Sequence, residues 1–342
     1  MKVKKRLLEL DCLRGIAATL VMYFHYTIGH THLLLFKLGC IGVELFFVIS
    51  GFVIFLTIEK TTNYKTFLLS RFARLYPAYW ACATLTSACI ICWSVIVKTP
   101  IVFPQLQDYL VNLTMFQYYF NVKNIDNSYW TLIIELLFYL FILVVYLFKK
   151  IEKIEILGFI IVLFCLTYGT VIKTYAYPVY SFLGGYLPIV PYFSLFIAGI
   201  TFYKIKFDKI NTTRLLLLTL CLLTQIILFT STGKVQFITH TEYAAVLCLI
   251  FGLFFLYCFN KLHFIVNRVT LFMGKISYSL YLIHGYIGFY LLIPILMHSR
   301  YFHLNFWIAV VFVVTPVIIA TAALINKFIE VPVMKYLKQR FG

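Results

Sequence analysis

Runs of about 20 apolar residues recur along the whole chain, separated by short polar segments. Each run is long enough to cross a hydrocarbon core of about 30 Å. They predict ten spans, near residues 10–30, 38–58, 76–97, 129–148, 155–172, 179–203, 213–231, 241–259, 276–297 and 304–328. All ten are expected to be helical, because lipid leaves no water to satisfy an open backbone. The first run does not read as a cleaved leader: Arg14 and His25 interrupt it, and no small-x-small cleavage site follows. The expected fold class is therefore all-α integral membrane. It would be a bundle of about ten transmembrane helices in one domain, 1–342, with no appended soluble domain.

Composition sharpens this picture. The 342 residues are 63% hydrophobic and only 12% charged, where a soluble domain carries roughly 25%. A net charge of +17 raises nucleic acid as a partner, but the distribution of the charge argues against it. Alternate loops sort the basic residues: Lys37, Lys98, Lys123, Lys173, Lys234 and Arg300 fall on one side, and the other 23 of the 29 on the opposite side. That is the positive-inside pattern, with both termini cytoplasmic and membrane lipid as the surrounding partner.

Other chemistries find little support. Cys89 and Cys92 form a C-x-x-C inside an apolar run, where small buried hydrophobes are the plain reading. His30 and His32 form an H-x-H pair without an obvious third ligand, so no metal site is expected. There is no Walker loop and no G-x-G-x-x-G. The longest connection, about Lys98 to Ser128, holds a semi-apolar stretch, Tyr109 to Phe120, that reads as a short interfacial helix.

Ionisable residues inside apolar spans are costly, on the order of 2.5–3.5 kcal/mol each on insertion scales, and tend to face a partner, a cavity or a substrate path. Arg14 and His25 lie eleven residues apart on the first span. That is three turns, so they share one face about 16 Å apart. Alone, Arg14 reads as well as a snorkelling arginine, and His25 reads first as a hydrogen-bonded core residue; together they suggest a polar track. Glu44 lies deep in the second span, at about the depth of His25. Arg71 and Arg74 project from one side of a helical turn and suit phosphate, or an anionic lipid. Glu135 and Tyr139 are i, i+4 on the fourth span, which opens with Trp130. Tyr278, Tyr281 and His284 form a stripe on the ninth.

Taken together, these motifs resemble acyltransferase family 3, the integral-membrane O-acyltransferases of bacterial surface polysaccharides. Arg14 and His25 match R-x(10)-H, GVELFFVISGF matches the glycine-acidic-phenylalanine signature, and Arg71 and Arg74 match RxxR before Tyr76-Pro77. NSYWTLIIELLFYL, ISYSLYLIH and FIEVPV complete the series; Val331 departs from the basic or polar residue that often precedes the last proline. The resemblance spans residues 8–335 and implies transfer of an acyl group, most often acetyl from acetyl-CoA, to a sugar hydroxyl. The acceptor would be a glycan or lipid-linked glycan of the cell surface, and the enzyme would sit in the bacterial inner membrane.

On that expectation, His25, Glu44 and Glu135 are the catalytic residues. His25 would act as base or nucleophile, with either carboxylate orienting it. Arg14, Arg71 and Arg74 would hold the phosphates of acyl-CoA. Trp130, Tyr139, Tyr281 and His284 are the candidate substrate contacts. A transporter or flippase of a lipid-linked glycan is the rival reading, which the lack of a visible internal repeat weakens.

Overall fold

A computed structural model describes residues 7–28, 34–61, 63–100, 103–298 and 304–341. Every regular element among them is helical. With shorter helices between some of them, helical elements fall at each of the predicted positions. They are α1 (Leu8–Tyr26), α2 (Phe36–Glu59), α3 (Tyr64–Ile96), α4 (Asn127–Leu147), α5 (Ile151–Tyr175) and α6, bent by 84° between Tyr177–Tyr186 and Val190–Phe207. Then come α7 (Thr212–Ser231), α8 (His240–Cys258), α9 (Arg268–Met297) and α10 (Phe306–Arg340). Eight are individually long and apolar enough to cross a membrane, or nine with the bent pair as one span. The expected count of ten is therefore not reached on length and apolarity alone. The remaining helix, α1, carries Glu9, Asp11 and Arg14 within 19 residues.

Three boundaries differ by a clear margin: α9 starts at Arg268 rather than 276, α10 runs on to Arg340 rather than 328, and α3 starts at Tyr64 rather than 76. The connection expected before residue 76 is helix: α3 runs 33 residues with Pro77 inside it. Neighbouring groups in a membrane bundle can satisfy the carbonyl that proline frees, so the ring does not end the helix. Arg71 and Arg74 thus lie within a continuous helix. The stretch expected to be a short helix over Tyr109 to Phe120 is a helix at Leu106–Leu113 followed by a 3-10 turn at Gln117–Phe120.

The chain divides into two compact units. The first draws on Met1–Leu20, Thr31–Tyr64 and Ile134–Gly274. Within it α2 packs closely against the second arm of α6. A Cβ on Gly51 would lie 2.1 Å from the Phe196 carbonyl oxygen, and one on Gly199 would lie 2.1 Å from that of Val48. Only glycine lets two backbones approach this closely, which is how helices gain packing where the hydrophobic effect is absent. Stacked aromatics flank the contact, Phe138 on Phe196 at 4.2 Å and Phe202 on Phe254 at 5.0 Å between ring centres.

The second unit draws on Val21–His30, Lys65–Ile133 and Lys275–Gly342. Here the helix Leu106–Leu113 is stitched to α3 at its C-terminal end, where helix carbonyls lack partners. Tyr79 donates to the Asn112 carbonyl (2.7 Å), Trp80 to Leu113 (2.8 Å) and Tyr76 to Thr114 (3.0 Å). The buried Asn112 side chain then donates to the Lys123 carbonyl (2.9 Å) and accepts from the Ile125 amide (3.1 Å). These bonds fix the loop that leads into α4.

Candidate active site

The second unit brings two histidines together. His25, near the end of α1, has Nδ1 2.9 Å from the Val21 carbonyl oxygen and 3.2 Å from Nε2 of His284 on α9. His284 is wholly buried, and its Nδ1 lies 2.7 Å from the Tyr281 carbonyl oxygen. A carbonyl only accepts, so Nδ1 carries the hydrogen on both rings when both are neutral. His284 then offers the lone pair of Nε2 to the His25 N–H, which it shares with Val21. This assignment leaves Nε2 of His25 as an unprotonated lone pair, the state a general base requires.

Local structure explains the placement of His284. It opens a π-helical turn, His284–Leu292, within α9. Such turns shift the following side chains out of α-helical register and recur at functional positions. Tyr281 anchors the preceding turn. Its hydroxyl donates to the Ser128 carbonyl (3.1 Å) and meets the Thr131 hydroxyl at 3.0 Å. Trp130, one residue before Thr131, is exposed.

Asp126 is a further member of this unit, and sequence reading passed it over. It is fully buried. One carboxylate oxygen accepts from the Ser128 amide (2.8 Å) and hydroxyl (2.7 Å), the other from the Tyr286 amide (2.5 Å). Burial pushes its carboxyl up from the ordinary range, while these donors and His25 favour its charge. The sequence signal was an Asp-x-Ser cap just before a span, a pattern that looks purely local until the fold buries it.

The carboxylates expected to orient His25 have other partners. Glu44, on α2 in the first unit, is completely buried; its Oε1 lies 2.7 Å from Lys234 Nζ and accepts from the Tyr243 hydroxyl at 3.2 Å. Burial works against the Lys234 charge, but the Glu44 carboxylate outweighs it and holds the ammonium above its usual range. Tyr243 is bonded in turn by Gln225, which accepts from Ser194 (2.6 Å). Glu135, also in the first unit, accepts from Ser50 (3.1 Å) and Tyr139 (2.5 Å). The i, i+4 pairing of Glu135 with Tyr139 is therefore a direct hydrogen bond. The ring in hydrogen-bonding contact with His25 is that of His284.

The two α3 arginines have different surroundings. Arg74 forms an ion pair with Glu330, and its guanidinium carbon lies 5.4 Å from the centre of the Tyr278 ring. Glu330 is buried and also accepts from Ser279 (2.8 Å) and Asn326 (3.0 Å). The Arg74 charge is thus balanced by a protein carboxylate. Arg71 is half-buried, bonded to the Ser70 hydroxyl (3.2 Å) and lying over Phe67. Arg14 is half-buried on α1 in the first unit.

No group of three or more His, Cys, Asp or Glu able to hold a metal ion occurs among the described residues. The His30 and His32 pair lies outside them.

A multi-pass helical membrane protein in which a buried imidazole, His284, meets a half-buried one, His25, has the makings of a group-transfer enzyme. Comparison with known families makes the class definite. The acyltransferase domain model of the acyltransferase 3 group matches residues 7–326, and the chain belongs to that family. A viral protein named "Putative acetyltransferase ORF330", from Acidianus two-tailed virus, is 25% identical over 281 residues, covering 80% of each chain. No solved structure matches the chain.

Proposed function

We propose that this membrane acyltransferase moves an acetyl group from cytoplasmic acetyl-CoA to a hydroxyl of a cell-surface glycan or its lipid-linked precursor, in a bacterial inner membrane with both termini cytoplasmic. The observation that carries this reading is the His25–His284 pair, whose tautomers leave Nε2 of His25 unprotonated.

A sugar hydroxyl is a poor nucleophile at neutral pH. Nε2 of His25 takes its proton as the oxygen attacks the thioester carbonyl, help typically worth 10²–10⁴-fold. The tetrahedral intermediate collapses, the C–S bond breaks, and the departing thiolate takes the proton back from the His25 imidazolium. His284 stabilises that imidazolium by keeping its lone pair on the opposite nitrogen of the His25 ring.

The phosphates of the donor call for fixed cations. Arg71 suits this role, with Arg74 beside it held in orientation by Glu330. Arg14 lies three turns before His25 along α1, about 16 Å by the helical rise. Trp130 offers an exposed aromatic face of the kind that stacks on a sugar.

The decisive test incubates purified protein in detergent or nanodiscs with acetyl-CoA and a lipid-linked glycan, then follows acetylated product by mass spectrometry. Product that depends on both substrates and on His25 supports the reading. A protein that moves the glycan across a vesicle membrane without acetylating it would replace this reading with transport.

A further inference from the structure

Asp126 is the one fully buried acid of the second unit that the mechanism above does not use. Three donors from two separate segments converge on its two oxygens: the amide and hydroxyl of Ser128 and the amide of Tyr286. Tyr286 lies two residues beyond His284, in the same π-helical turn. The residue between them is Gly285, where a Cβ would lie 2.3 Å from one Asp126 carboxylate oxygen and 2.9 Å from the other. Glycine at 285 is therefore what admits the carboxylate against the backbone of the turn.

We propose that Asp126 is a positioning residue for acyl transfer: it staples the start of α4 to the turn that carries His284, and its negative charge stabilises the imidazolium formed on His25. The inference rests on the acyl-transfer reading and deepens it.

Two physical arguments support both halves. With all three neighbours donating, both oxygens act as acceptors, which is the bonding of an ionised carboxylate. A buried carboxylate without a fixed cation is costly unless a positive charge develops nearby. Asp126 grips the amide two residues beyond His284, whose ring meets that of His25, and His25 becomes positive in the step that matters. Interactions stronger in the transition state than in the ground state raise turnover rather than donor binding. Displacing His284 by a fraction of an ångström would similarly spoil the alignment of the His25 base.

Four variants of the full chain test this, each assayed for thermal unfolding in detergent and for steady-state transfer. Asp126→Asn keeps the volume and the Ser128 bonds but removes the charge and places an amide against the Tyr286 N–H. Asp126→Ala removes the staple entirely. Both are expected to lower kcat about 100-fold while KM for acetyl-CoA stays within a few-fold. Gly285→Ala alone should lower the unfolding midpoint, because its methyl group collides with the carboxylate. Combining Gly285→Ala with Asp126→Ala removes that collision. The double variant should recover the midpoint of Asp126→Ala and keep its low kcat.

If Asp126 merely fills space, the double variant recovers turnover with stability, and the inference is overturned. It is equally overturned if Asp126→Asn turns over like the wild type, or if Gly285→Ala unfolds like the wild type. Wild-type protein inactive with acyl-CoA donors would instead sink the acyl-transfer reading, and the unfolding data would still judge the staple.

Discussion

Nε2 of His284 stands 3.2 Å from Nδ1 of His25, and each Nδ1 also faces a main-chain carbonyl, Tyr281 for one and Val21 for the other. The tautomer of each ring is thereby set by backbone atoms that cannot titrate. In the proposed mechanism a chain of two imidazoles takes the part that a carboxylate and one imidazole play in a nucleophile–base–orienter arrangement.

The two rings should have unequal weight. His25→Ala removes the base and is expected to reduce transfer by 10²–10⁴-fold. His284→Ala leaves the base but frees its ring, with an expected loss of about 100-fold. Product formation by mass spectrometry, with unfolding midpoints as a control for folding, checks both. Equal activity of His284→Ala and wild type would remove the relay from the mechanism.

The α3 arginines should separate by phenotype. Arg74→Ala strands the buried Glu330 carboxylate, a change worth about 3–5 kcal/mol when a buried pair loses one partner, and should lower the unfolding midpoint markedly. Combining it with Glu330→Gln should restore much of that loss. Arg71→Ala should leave the midpoint nearly unchanged and raise KM for acetyl-CoA. Isothermal titration with acetyl-CoA, run beside differential scanning fluorimetry, distinguishes the two effects.

Lys234 and Glu44 should behave as one unit. Lys234→Met leaves a fully buried carboxylate without its cation and is expected to cost about 3–5 kcal/mol. Glu44→Gln with Lys234→Met should be far milder than the sum of the single changes. A double-mutant cycle on unfolding free energies measures this coupling, and additive singles would refute it.

Gly51 tests the packing of the first unit. A methyl group there would sit 2.1 Å from the Phe196 carbonyl oxygen, so Gly51→Ala must push α2 away from α6. Its unfolding midpoint should fall clearly below that of wild type. A variant in lipid nanodiscs that melts with wild type would show that the two helices separate freely.

Much of the architecture could be read from the order of residues alone. Apolar runs of membrane length anticipated the eight helices long and apolar enough to cross a membrane, because the length of a spanning helix is dictated by the solvent and not by its neighbours. Helical periodicity also anticipated the Glu135–Tyr139 bond, since residues four apart meet on any helix. His25 and His284 stood out as ionisable groups in apolar surroundings, for the same one-dimensional reason. Tertiary structure alone decided which ionisable groups pair: His25 with His284, Glu44 with Lys234, and Arg74 with Glu330, partners between 190 and 259 residues apart in sequence. It also turned Asp126 from a local cap into a buried anchor. Buried charges and hydrogen-bonding groups choose partners by proximity in space, and the periodicity that reveals a helix says nothing of which helix lies beside it.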